Sequence, residues 1–140
     1  MTETQSLNLK AQNFNSKVKI GIRERAYKYA LQVIKFIDTL PKDQAGMIIG
    51  KQLLRSATSI GANIIEAKSA SSRRDFINFY THSLKSANES KFWLGLLRDS
   101  GKMADDNSPA LLQETVEISN ILAASILTLK AQSSKVKSQN

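Results

Sequence analysis

At 140 residues the chain is long enough for one domain with a real core and too short for two comfortable ones. An apolar fraction of 41%, with only two prolines and six glycines, suits a globular all-helical chain rather than a disordered one. The absence of cysteine excludes disulfides, thiolate metal sites and a cysteine nucleophile, and a net charge of +8 favours acidic partners, nucleic acid being the commonest.

The charge is uneven along the chain. Residues 16–40 hold six Lys/Arg against two acids, residues 41–70 and 71–101 carry a smaller excess, and both tails balance to zero. A solvated helix face accounts for such an excess as readily as a binding surface does. No uninterrupted apolar run approaches the roughly 18 residues of a membrane span. The opening MTETQSLNLKAQNFNSK has no apolar segment of a secretory signal, so a cytoplasmic protein without a membrane partner is the expectation.

Residues 1–15 are polar and unpatterned and read as a mobile arm. The bundle proper spans 16–131. From Lys17 the pattern turns helical, with Ala26, Tyr27, Ala30, Val33, Ile34 and Ile37 recurring at steps of three and four, which predicts one buried face. On the outer face Lys17, Arg25, Lys28 and Lys35 project within about a quarter turn of each other. Leu40-Pro41 ends this helix, because proline lacks the backbone donor and pushes its predecessor out of the helical region.

Asp43 is the predicted N-cap of the second helix. Its stripe of Gly50, Leu53, Leu54, Ala57, Ile60, Gly61 and Ile64 is close to heptad spacing, and the small residues in it invite a neighbouring backbone. Gln52, Arg55, Ser59 and Glu66, with Asn63 beside them, form a polar line on the same helix. A turn at Ala70-Ser71-Ser72 follows, and Ser72 with Asp75 three positions on is a capping box opening a third helix.

The third helix runs to Ser100, with a buried stripe of Phe76, Phe79, Tyr80, Ser83, Ala87, Ser90, Leu94 and Leu97. Phe92 and Leu96 fall on its opposite face, where two large apolar groups point to an oligomer contact. Gly101 is the C-terminal stop, Asp105-Asp106-Asn107 a loop, and Ser108-Pro109 the start of a fourth helix. Its stripe is Leu112, Thr115, Ile118 or Ser119, Leu122, Ile126 and Leu129, and residues 132–140 read as a fraying polar tail. Four helices of about 22 to 28 residues with short loops predict an all-α, antiparallel up-down-up-down four-helix bundle.

Chemical motifs fail on missing partners. The GMIIGKQ stretch at 46–52 resembles a phosphate-binding loop but lacks its first glycine, and Gln52 replaces the metal-binding hydroxyl. His82 is the sole histidine, so neither Glu66 nor Glu89 has the Glu-x-x-His partner a dinuclear bundle needs, and His82 reads as structural. Glu66 and Glu89 could meet as an acid/base pair, but pairing with Arg55, Lys85, Arg73 or another subunit is the stronger reading. Tyr27, Tyr29, Tyr80 and Trp93 sit at core or core-edge spacing, which favours packing over base stacking. Arg73 and Arg74 stand at a helix N-terminus, where the dipole disfavours cations by a few tenths of a kcal/mol, so local stability does not explain them. No catalytic residue, metal or cofactor is expected.

Gln52, Arg55, Ser59, Asn63-Ile64 and Glu66, followed by Ser72, Asp75-Phe76, Phe79, and Glu89 with Trp93-Leu94, resemble the large-subunit ribosomal RNA intervening-sequence protein family over residues 20–130. Ala67 departs from a usual glycine, so the second helix should run further into the turn, and Lys85 departs from a glycine found in many members. The resemblance implies a small antiparallel bundle that assembles into a ring-like homopentamer. It also implies kinship with the basic accessory protein that partners reverse transcriptase in diversity-generating retroelements, and so a nucleic-acid connection. The sequence expectation is a non-enzymatic homo-oligomer that binds nucleic acid, RNA before DNA, through Lys17, Arg25, Lys28, Lys35, Arg73 and Arg74. Gln52, Arg55, Ser59, Asn63, Glu66 and Glu89 would serve as a structural seam. The alternative is a module that docks an acidic or apolar protein encoded nearby.

Overall fold

The computed structural model describes residues 2, 3, 5, 21–103 and 108–139, and these form four long helices. They are α1 (Ile22–Ile37), α2 (Gln44–Ala67), α3 (Arg73–Asp99) and α4 (Ser108–Gln139). Each packs on its chain neighbours, α4 closes back on α1, and among the described residues no diagonal pair of helices comes into close backbone approach, so the chain is an all-α up-down-up-down bundle. The α2–α3 interface is the most extensive and α1–α4 the least. The predicted arm at 1–15, Lys17 and the loop at 105–107 lie outside the described residues, apart from Thr2, Glu3 and Gln5.

The helix ends follow the local chemistry of the sequence. Asp43 Oδ1 accepts from the amide of Gly46 at 2.8 Å, and its other oxygen accepts from Lys102 Nζ at 2.7 Å. Lys102 first, then the Gly46 amide, hold this carboxyl below its ordinary value. The Ser72 hydroxyl accepts from Asp75 N at 3.0 Å, while the Asp75 carboxylate reaches back one residue further than a standard capping box, to Ser71 N at 3.2 Å. At the end of α3, Gly101 takes φ +74, its amide donates to Arg98 O, and Lys102 N donates to Leu97 O. That is a Schellman motif, and its left-handed residue is why glycine stands there. α2 continues through Ala67, which is buried.

Gly46 has a different role. A Cβ built on it collides with the backbone carbonyl of Pro41, because the chain doubles back there and the carbonyl cannot swing aside as a side chain would. Gly46→Ala is therefore expected to cost about 2 kcal/mol, read as a lowered denaturant midpoint with unchanged slope. Gly61 approaches Ala26 of α1 to 3.5 Å from its built Cβ, the close backbone approach that the small-residue stripe foretold.

The core comprises Ala26, Tyr29, Val33, Phe36 and Leu40 from α1 and its exit; Leu53, Ala57, Ile60 and Ile64 from α2; Ala87, Leu94 and Leu97 from α3; and Leu111, Ile118 and Leu122 from α4. Two expected positions are corrected on α1. Tyr27 and Ile34 are 64% and 46% exposed, and Tyr29 and Phe36 are buried instead. Both readings share Ala26 and Val33, so periodicity alone cannot choose between them. The rotation is decided by α4, which offers Thr115 to the Tyr29 hydroxyl at 2.6 Å. On α4 Leu111 replaces Leu112 as the buried residue, and on α3 Phe76, Phe79 and Tyr80 are only half-buried.

A layer of hydroxyls crosses the centre. Tyr29, Ser56, Ser90 and Thr115, one from each helix, are all fully or almost fully buried. Tyr29 donates to Thr115, whose own hydroxyl donates to Leu111 O at 2.8 Å, and Ser56 meets Ser90 at 2.8 Å. Every such group among the described residues has a partner. Polar groups satisfied at one level fix the vertical register of helices whose apolar stripes would tolerate sliding.

α4 outruns the bundle. Leu129 lies beside Phe76 at the α2–α3 turn, and the helix continues to Gln139 where a fraying tail was expected, about 15 Å further at 1.5 Å per residue. Pro109–Val136 is long and apolar enough, with mean hydropathy 1.2, to cross a membrane by length and composition. Its residues Leu111, Thr115, Ile118, Leu122 and Ile126 are buried in the bundle, while Leu127 and Val136 are exposed.

Candidate functional site

Antiparallel packing places the end of α2, the start of α3 and the far end of α4 at one pole of the bundle, while Ile22, the first residue of the shorter α1, stands about 10 Å from the Tyr29 layer and so short of that pole. Lys68, Arg73, Arg74 and Lys130 gather there from three different helices or their caps, all exposed. None of the four makes an ion pair among the described residues. The acids at this pole are Glu66 and Asp75, whose carboxylate is engaged by Ser71. The pole is therefore a positive surface built by the topology.

The six candidate cations read from the sequence separate in space. Arg73 and Arg74 stand together at this pole. Lys28 is exposed on α1 beside Glu24. Lys35 lies toward the other pole, on the rim of a cavity of about 510 Å³ that also touches Glu114. Lys17 is outside the described residues. Arg25 leaves the set: its Nε donates to Glu114 Oε1 at 2.8 Å and its Nη2 to Glu117 Oε2 at 2.6 Å, with only 17% of the side chain exposed. The hydrogen bond it donates to Glu114 raises its pKa further, and its charge is spent inside the α1–α4 interface. Arg25→Met should accordingly lower stability by about 1–2 kcal/mol, since it strands two adjacent, partly exposed carboxylates, and leave any surface binding unchanged. Thermal unfolding and a binding titration on the same sample check both halves.

Lys68 and Lys130 were missed because helical periodicity assigns faces within one helix and says nothing of which ends coincide. The signal was the up-down topology itself, which brings alternate helix termini together.

The polar line of α2 meets α3. Arg55 pairs with Glu89, and its Nε donates to Gln52 Oε1 at 3.1 Å. Trp93 Nε1 donates to the same Glu89 oxygen at 3.3 Å. Ser86 donates to Ser59 Oγ at 3.0 Å, and Asn63 Nδ2 donates to Ser59 O at 2.9 Å. Gln52, Arg55, Ser59, Asn63 and Glu89 thus form a seam between α2 and α3. Glu66 does not join it: in this register it lies about ten residues, roughly 15 Å, along the hairpin from the level of Glu89. The carboxylate pair that acid/base chemistry needs is not assembled. Among the described residues no three of His, Cys, Asp and Glu come together as a metal site.

Two apolar surfaces are exposed. Phe92 (57%) and Leu96 lie on the outer face of α3, with Phe92 edge-on to Trp93 at 5.1 Å. Tyr27, Leu31 and Ile34 form an i, i+4, i+7 stripe on α1, and Met47 and Ile65 fall on one line of α2 five turns apart. Both lines lie on the outer side of the α1–α2 contact, so the two helices present one apolar face.

The family model described as 23S rRNA-intervening sequence protein matches residues 19–124. A solved structure of a protein of unknown function from the S23 ribosomal protein family of Bacteroides thetaiotaomicron is 35% identical in sequence. It superposes with a TM-score of 0.71 and covers 76% of this chain and 98% of its own. No curated protein matches.

Proposed function

The chain belongs to the 23S rRNA-intervening sequence protein family, and from that premise we propose that it is a non-catalytic, self-associating bundle that binds RNA through its positive pole. The observation that carries this reading is the convergence of Lys68, Arg73, Arg74 and Lys130 without ion-pair partners among the described residues. Two of these cations sit at the N-terminus of α3, where the helix dipole works against them, so folding does not account for their presence. Phosphate does. Contacts of this kind position a nucleic-acid backbone and read little sequence, and they weaken steeply with salt. The RNA connection in the family's name favours RNA over DNA. Gel-shift titration of RNA and DNA at about 50 and 200 mM salt tests the reading, and no retention of either at the lower salt would sink it.

Self-association repeats a modest patch and multiplies its effective affinity. The exposed apolar faces of α3 and of the α1–α2 pair supply candidate contacts, and five copies is the number the family resemblance suggests. Phe92→Asp is expected to bring the light-scattering mass down to that of the 15.5 kDa chain. An unchanged mass moves the contact to the α1–α2 face, where Leu31→Asp becomes the disruptive change. The same apolar faces favour the rival reading of a protein-docking module, which co-purification surviving nuclease treatment would support.

A further inference from the structure

The positive pole also contains a cavity. It is an open cleft of about 380 Å³, within the range of small-ligand sites. Ala67, Ala70, Phe76 and Leu129 give it an apolar floor, and Lys68 and Arg73 stand on its rim. Phe76 is backed by Tyr80, with ring centroids 4.6 Å apart and planes 28° from parallel. Both rings are only half-buried, so an aromatic stack that the sequence assigned to the core has a side open to solvent.

An apolar slot with a flat ring in it and cations at its mouth matches a nucleotide: a planar base that prefers to leave water, joined to a phosphate that must stay near positive charge. The first-turn amide of Asp75 is already taken by Ser72, so the anion falls to the Lys68 and Arg73 side chains rather than to the helix end. We infer that this cleft is a pocket for one unpaired nucleotide, its base against Phe76 between Ala67, Ala70 and Leu129, and its phosphate on Lys68 and Arg73. The inference rests on the RNA-binding reading and narrows it. In a duplex the bases are stacked inside and cannot enter a side pocket, so the target becomes single-stranded or looped RNA.

The test is fluorescence anisotropy at about 100 mM salt with a labelled 12-nucleotide RNA, presented as a single strand and as a perfect duplex. The full-length protein is compared with Phe76→Ala, which removes the platform, and with Ala70→Leu, which fills the cleft while removing no packing. The expected result is about tenfold tighter binding of the single strand, and loss of that preference in both variants with duplex affinity unchanged. Equal affinity of the unaltered protein for the two forms, or a preference that persists in Ala70→Leu, overturns the pocket while leaving phosphate binding in place. Failure to bind either form overturns the RNA reading itself.

Discussion

The Arg73→Glu/Arg74→Glu double variant is expected to lose RNA binding by about 100-fold or more at low salt while folding as well as the parent. Both arginines are exposed at the first turn of α3 with no ion-pair partner among the described residues, so no internal contact is broken by the change. Carboxylates at a helix N-terminus are favoured by the dipole by about 0.3–1 kcal/mol each, so thermal stability should hold or rise. Each subunit that loses two phosphate contacts also loses about 1.4 from the slope of log affinity against log salt, taking about 0.7 per contact for a single strand. A binding loss with an unchanged salt slope would mean that the arginines act on something other than phosphate. Retained binding with both residues reversed would move the site away from this pole.

Tyr29→Ala is expected to be the most damaging single change for the fold, at about 3–5 kcal/mol, a large share of the 5–15 kcal/mol that holds a domain of this kind together. The side chain is fully buried, touches the centre of the core and carries the hydroxyl that reaches α4. Tyr29→Phe separates the two contributions. The Thr115 hydroxyl keeps its own acceptor, Leu111 O, so no donor is stranded and the cost should be only about 1 kcal/mol. Urea unfolding of both variants measures the difference, and near-equal losses would mean that the hydroxyl layer, rather than packing, dominates the site.

The same residue sets an alkaline limit. Burial pushes the Tyr29 phenol up to about 12, from an ordinary value of 10.0. The folded state therefore keeps the neutral form where the unfolded chain would ionise. Stability from this group is complete below pH 10, declines as pH rises past that value, and is lost by about pH 12. Tyr80, half-buried and shifted upward by burial as well, adds to the decline in the same direction.

Much of the architecture was legible in the residues because it depends on neighbours in the chain. Pro41 stops one helix whatever lies elsewhere, Asp43 and Ser72 cap through amides three residues on, and Gly101 supplies a left-handed turn within its own helix end. The heptad-like stripes of α2 and α4 then demand partners on one side, and short connections make those partners antiparallel. Where the sequence reading went astray, the deciding contact lay on another helix. Two rotations of α1 satisfied its periodicity equally, and Thr115 of α4, 86 positions away, selected the one that buries Tyr29 and exposes Tyr27. Arg25 looked like a surface cation until Glu114 and Glu117 came within reach of it.

The candidate site shows the same division. Its residues are ordinary cations on three helices or their caps, and nothing in the spacing along the chain connects Lys130 with Lys68, Arg73 and Arg74. By itself the sequence determined that the chain is helical, where the turns between its helices fall, and that positive charge is in excess, because each of these follows from local bonding and composition. Only the tertiary structure decided which charges are neutralised, which helix ends share a pole, and that an aromatic floor lies open beneath them. These are consequences of which surfaces face each other in space, and one-dimensional periodicity carries no information about that.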